Sequence, residues 1–200
     1  MLVELVATNF QKSGLQIITV NFWICNISTK LRGITYSRRK TEQAALLSSK
    51  PEVRFAALVH DLGKALTPKE NWPHHYGHET SGLPVLAALC HRLRVPNTFK
   101  SLAMHVMQYH THCHKAMELK ASTMVDLFNK LGVFKQHHQF DEFLLACEAD
   151  AKGRKGLENR PYPQASYLHS AAETAVATDT TDITNGKLQG AAIGEAIRQL

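Results

Sequence analysis

The chain has 200 residues, 44% of them hydrophobic and 20% charged, with a formal net charge of +6 at pH 7. That is enough apolar material for one packed domain with or without an appendage, which excludes a largely disordered chain. The positive balance admits a polyanionic partner, nucleic acid first, and equally a solvated basic surface.

Residues 1–41 differ in texture from the rest of the chain. The stretch LQIITVNFWIC, residues 15–25, is rich in β-branched and aromatic residues. It is too short to span a bilayer and lacks both a basic lead and a small-residue cleavage site, so neither membrane association nor export is expected. Next comes TKLRGITYSRRK, residues 29–40, with five Lys/Arg and no acid. The four cysteines, Cys25, Cys90, Cys113 and Cys147, form no CxxC pair, which suggests reduced thiols in a cytoplasmic protein.

From Glu42 onward apolar residues recur at three-to-four spacing, and the pattern predicts an all-α fold. A first helix runs from about residue 33 to Leu47. Pro51 is placed to open PEVRFAALVHDLGK and Gly63 to close it. ETSGLPVLAALCHRLRV comes next. Pro96-Asn97 opens NTFKSLAMHVMQYHTHCHKAMEL, on which Leu102, Val106 and Tyr109 share one side. STMVDLFNKLG begins with Ser122 as cap and stops at Gly132. HHQFDEFLLACEADAKGR turns Phe140, Phe143, Leu144 and Cys147 inward and carries Asp150 near its C-terminal end. A loop GRKGLENRPYPQ, a helix YLHSAAETAVAT, a polar connector and a curtailed helix AAIGEAIRQL complete the chain. The expected division is an atypical segment 1–41, not native to the fold, a domain 42–170, and a truncated helical extension 171–200.

Chemistry concentrates at helix ends: His60-Asp61; His74, His75 and His78; His110, His112 and His114; and Asp150. Burying the adjacent His60-Asp61 pair costs several kcal/mol unless something pairs with it. Neighbours on a helix point about 100° apart, so both could grip one ion only near the helix end. Mixed nitrogen and oxygen donors suit Mn²⁺, Ni²⁺, Co²⁺, Fe²⁺ or Mg²⁺ better than a thiolate zinc site. Such an ion acidifies bound water and neutralises phosphate oxygens. Lys64, just past the pair, could hold a non-bridging oxygen, and Arg92, Arg94 and Arg154 are further candidates for RNA or phosphate.

The run VHDLGK, residues 59–64, resembles the signature of the HD-domain metal-dependent phosphohydrolases. The ordered set VRFAALVHDLGKALTP, HHYGHE, RLRVPN and EADAKGR is similar to the C-terminal half of the bacterial multifunctional CCA proteins, the tRNA nucleotidyltransferases, over residues 42–200. The resemblance implies a helical bundle of the HD type that hydrolyses phosphomonoesters and 2′,3′-cyclic phosphodiesters, while a separate N-terminal half adds C, C and A to tRNA. It implies His60 and Asp61 as central metal ligands and Asp150 as the distal carboxylate. His78 and His110 match positions where such proteins add histidines for metal or phosphate, and Asp61 and Lys64 are the expected catalytic pair.

Two departures from the family pattern stand out. Thr111 follows His110 where an aspartate is expected, and Tyr36 stands where the first histidine of the set belongs, about two dozen residues before His60. Phenol is a poor ligand near neutrality, so weakened metal binding is expected. Nor does the chain contain a Gly-Ser turn followed by D-x-D, so it should not add CCA by itself. The expected partners are tRNA or nucleotide phosphate esters, a separate nucleotidyltransferase half, and a second copy of the chain. The competing readings are a non-catalytic tRNA-binding or dimerisation tail of a split CCA-adding enzyme, and a degraded reading frame.

Overall fold

The computed structural model describes residues 31–135 and 137–178. These residues form seven α-helices and no strand, as the sequence pattern predicts. The helices are α1 (Leu31–Leu47), α2 (Pro51–Val59), α3 (His78–Arg92), α4 (Asn97–His114), α5 (Ala121–Lys130), α6 (His137–Lys152) and α7 (Pro163–Ala177). The strand-like run 15–25 and the final helix AAIGEAIRQL lie outside the described residues. The division expected after residue 41 falls inside α1. Among the described residues no helix is long and apolar enough to cross a membrane.

The bundle is built around α2. Pro51 sits in its first turn, where the missing amide costs nothing, and Val53, Phe55, Ala56, Ala57, Leu58 and Val59 are all buried. A helix apolar on nearly every side must be surrounded, and α1, α4 and α6 pack around it. On α4, Leu102 and Val106 face inward with Tyr109 partly buried; on α6, Phe140, Phe143, Leu144 and Cys147 do the same. Cys90, Cys113 and Cys147 are buried free thiols.

Three boundaries differ from the sequence pattern. First, α2 stops at Val59 with His60 as its C-cap, and Gly63 lies inside a following 3-10 turn, Leu62–Leu66. Gly63 is there for close approach, not to end a helix. A Cβ on it would stand 1.9 Å from the carbonyl oxygen of His78 and 2.9 Å from the amide nitrogen of Gly82. The turn thus lies directly on the first half of α3. Second, α5 begins at Ala121 with an extended Lys120 before it, so Ser122 falls within the first turn and makes no cap bond. The short 3-10 turn Ala116–Glu118 delivers the chain one residue early. Gly132 does follow the helix with φ +71, the left-handed stop expected of it. Third, α7 starts at Pro163, ahead of the YLHS run, because proline is tolerated in a first turn.

Gly63→Ala should therefore destabilise the protein by at least about 2 kcal/mol, since the obstructing atoms are backbone and cannot turn away. Urea unfolding monitored by circular dichroism measures this directly. Stability equal to the parent would show that the turn and α3 do not meet so closely.

Candidate metal centre

Four helix ends deliver the polar groups. His60 caps α2, and Asp61 has already left the helix (φ −96, ψ 8), so its carboxylate lies beside the His60 ring. His78 is the first residue of α3, His110 and His114 are in the last turns of α4, and Asp150 is near the end of α6. His60 Nε2 lies 3.3 Å from Asp61 Oδ2 and 3.3 Å from Asp150 Oδ1. His78 Nε2 and His110 Nε2 approach Asp61 Oδ1 at 3.4 and 3.9 Å. His60, His78, His110 and Asp150 are buried, while Asp61 keeps partial access to solvent.

The three histidines around Asp61 share one orientation. His60 Nδ1–H donates to the carbonyl of Ala57, His78 Nδ1–H to that of His75, and His110 Nδ1–H to those of Val106 and Met107, at 2.7–3.1 Å. A carbonyl has no proton to give, so Nδ1 carries the hydrogen and each Nε2 lone pair faces the cradle. Histidines that bind metals are oriented in the same way. Burial, with His60 close by, pushes the His110 pKa down to about 3, which keeps its ring neutral.

His60, Asp61 and His110 offer ligand atoms all within 4.8 Å of one another. Asp61 Oδ1, His78 Nε2 and Asp150 Oδ1 are buried without a hydrogen bond of acceptable geometry. Buried, lone-pair-bearing atoms that converge, the two carboxylate oxygens met by ion pairs with Lys40 and Lys64 and by no well-aligned hydrogen bond, suit a divalent cation, so the donor set fits such an ion.

The sequence pattern did not point to the group nearest the centre. Lys40 of α1 is 3% exposed, and its Nζ lies 2.6 Å from Asp150 Oδ1, 2.9 Å from Asp61 Oδ2 and 3.2 Å from His60 Nε2. It belongs to the basic run TKLRGITYSRRK, yet it points into the core. Burial opposes its charge, and Asp61 and Asp150 outweigh that, holding its pKa above the ordinary lysine value. Burial likewise opposes ionisation of the two aspartates, and the Lys40 ammonium between them holds both carboxyls well below the usual range. The side chain of Tyr36, at the position expected for the first histidine, lies outside the described residues.

Lys64 stands at the mouth, its Nζ 2.8 Å from Asp61 Oδ1 with a side chain 37% exposed. Arg154 lines a cavity of ≈ 290 Å³ together with Lys152, Arg160, Tyr162 and His114. His114 connects that cavity to the cradle, lying 2.7 Å from both Asp150 Oδ2 and the Tyr162 hydroxyl. Neither Arg160 nor Tyr162 carried any signal in the sequence, because the loop that brings them back is irregular. Arg92 and Arg94 are exposed at the far end of α3, roughly 21 Å from His78 at 1.5 Å per residue. They are not part of the cradle. His74 stacks on Tyr76 outside it, and His112, two residues from His110, turns toward Tyr109. Thr111, at the position where the resemblance leads one to expect an aspartate, donates to Glu79 Oε1 at 2.8 Å.

The HD domain family matches residues 36–151. Among curated relatives, the multifunctional CCA protein of Methylococcus capsulatus is 56% identical over 160 residues, 80% of this chain and 38% of that protein. The multifunctional CCA protein of Nitrosococcus oceani is 50% identical over 158 residues, 79% of this chain and 39% of the relative. That of Hahella chejuensis is 47% identical over 164 residues, 82% and 39% respectively. The chain thus spans about two fifths of the length of these relatives. No solved structure matches it.

The depressed carboxyls set an acid limit. A group whose folded pKa lies below its unfolded value stabilises the protein above the unfolded value, about 3.9 for aspartate, and loses that contribution as pH falls through the folded one. Unfolding free energy in urea should fall steadily below about pH 4, and Asp150→Asn should flatten that fall. An unchanged acid limb in the variant would show that Asp150 is not held ionised in the core.

Proposed function

Since the chain belongs to the HD-domain family, we propose that it is a metal-dependent phosphohydrolase domain acting on phosphate esters of nucleotides or of tRNA ends. The observation that carries this reading is the convergence of His60, Asp61, His78, His110 and Asp150, from separate helix ends, on one cradle with lone pairs turned inward. In this reading His60, Asp61 and Asp150 hold the ion, with His78 and His110 completing its shell or meeting the phosphate. Mn²⁺, Ni²⁺, Co²⁺ and Mg²⁺ suit the donor set. When bound, such an ion acidifies water and offsets charge on phosphate oxygens.

The chain's own groups do the rest. Asp61 faces His60 through one oxygen and the mouth through the other, so it orients whatever enters between them. Lys64, partly exposed and already beside that carboxylate, is placed to take a non-bridging phosphate oxygen. Neutral His110 offers an acceptor at depth. Arg154 and Arg160 line the adjoining cavity and supply positive charge for the remainder of a nucleotide chain. The relatives are named multifunctional CCA proteins, in agreement with the resemblance read in the sequence; on that resemblance we take the substrate to be tRNA-related and cytoplasmic, with nucleotidyl transfer supplied by a separate half.

A second reading is a non-catalytic tRNA-binding or dimerisation module. It is favoured by one observation, the Lys40 ammonium inside the cradle.

Hydrolysis of bis(p-nitrophenyl) phosphate and 2′,3′-cyclic AMP with each metal separates the two readings. His60→Ala, Asp61→Ala and Asp150→Asn should each lower the metal-stimulated rate about 10- to 100-fold or more while helicity by circular dichroism persists. Parent-level rates in all three variants would remove the cradle from the chemistry. Binding of tRNA should weaken steeply between low and moderate salt, with a shallower slope in Arg154→Ala, because phosphate contacts release counterions. Affinity indifferent to salt would make the basic balance mere surface charge.

A further inference from the structure

The reading of the cradle as a metal centre leaves Lys40 unexplained. Its Nζ sits among three acceptors, Asp150 Oδ1, Asp61 Oδ2 and His60 Nε2, at 2.6, 2.9 and 3.2 Å. An ammonium carries donors and no acceptor, so the His60 contact uses the Nε2 lone pair, the same one a metal would need. Asp150 Oδ1 meets it as an ion pair and not as a well-aligned hydrogen bond. The seat is also built on the opposite side. A Cβ on Gly153, just past α6, would stand 2.5 Å from Lys40 Cγ and 2.7 Å from its Cα, so α1 reaches the cradle only because that residue is glycine.

We infer that Lys40 is the cradle's own cation: its ammonium holds His60, Asp61 and Asp150 together in place of a divalent ion, which must displace it to enter. This inference rests on the proposed metal centre and adds a condition to it. Two buried carboxylates need a positive partner, Lys40 supplies one, and a dication brought to the same three atoms would meet a like charge in a poorly solvated space. Displacing Lys40 would also leave its ammonium stranded unless it reached solvent, and its stem is packed against Gly153.

The test is Mn²⁺ binding by isothermal titration calorimetry to the full chain and to Lys40→Gln and Lys40→Ala. Glutamine keeps the stem's packing and removes the charge, so it guards against a fold lost in the alanine variant. The expected result is Mn²⁺ affinity at least roughly 100-fold higher in Lys40→Gln than in the parent, because the repulsion is gone. The gain should vanish in the double variant Lys40→Gln/Asp150→Asn. Thermal unfolding gives an independent readout: Mn²⁺ should raise the melting temperature of Lys40→Gln much more than that of the parent. Equal affinities in parent and variant, or a gain that survives loss of Asp150, would overturn the inference. Failure of the phosphohydrolase reading would look different: a Lys40→Gln protein that binds Mn²⁺ tightly and hydrolyses neither phosphodiester.

Discussion

Two aspartates placed against an apolar core must be met by positive charge, and the arrangement of helices around α2 is organised by that requirement. Asp61 and Asp150 come from segments far apart in the chain, yet both touch the same lysine and the same histidine ring. Without a cation between them each would repel the other and pull its proton back on. With one, the ends of α1, α2 and α6 are tied together electrostatically as well as by packing. Removing one member of such a buried set is expected to cost more than the set contributes to stability as a whole, because the remaining charge is stranded.

Helix ends make this cradle possible. The last turn of a helix has carbonyls with no amide to serve, and the His60 ring takes one of them, Ala57 O, from α2. That bond fixes the tautomer, and the tautomer decides which nitrogen faces inward. His78 does the same with the turn before α3, and His110 with carbonyls of its own helix. The orientation of the polar groups is thus set by backbone geometry before any ligand is considered. Gly63 contributes sterically by letting the turn that carries Asp61 and Lys64 lie against the start of α3, where His78 stands.

The outer shell extends the same logic toward solvent. Asp150 presents one oxygen to Lys40 and the other to His114, which in turn reaches the Tyr162 hydroxyl at the edge of the Arg154–Arg160 cavity. A buried carboxylate is therefore linked by short contacts to a basic, open surface. Thr111 donates to one oxygen of Glu79, whose other oxygen lies 3.3 Å from His78 Nδ1. Arg92 and Arg94 lie outside the cradle because α3 carries the chain away from it along the helix axis.

Much of this was legible in the chain. The three-to-four apolar spacing encodes the helices, because burial of one face repeats with the helical turn. The adjacent His60-Asp61 pair at the end of an apolar run marks a place where polar groups enter a core, because such groups are costly there without a partner. The resemblance to the HD family singled out His78, His110 and Asp150, and the structure brings all three to the same place. Tertiary structure alone decided the remainder. Lys40 lies in a basic run whose local pattern reads as solvent-facing, and only the approach of α1 to Gly153 turns it inward. Gly63 reads as a helix stop, and only the passage of α3 over it reveals a steric need. Periodicity records which face of a segment is buried, but not which distant segment lies against it. A buried charge is specified by its partners, and these three, His60, Asp61 and Asp150, meet Lys40 only once α1, α2 and α6 have packed.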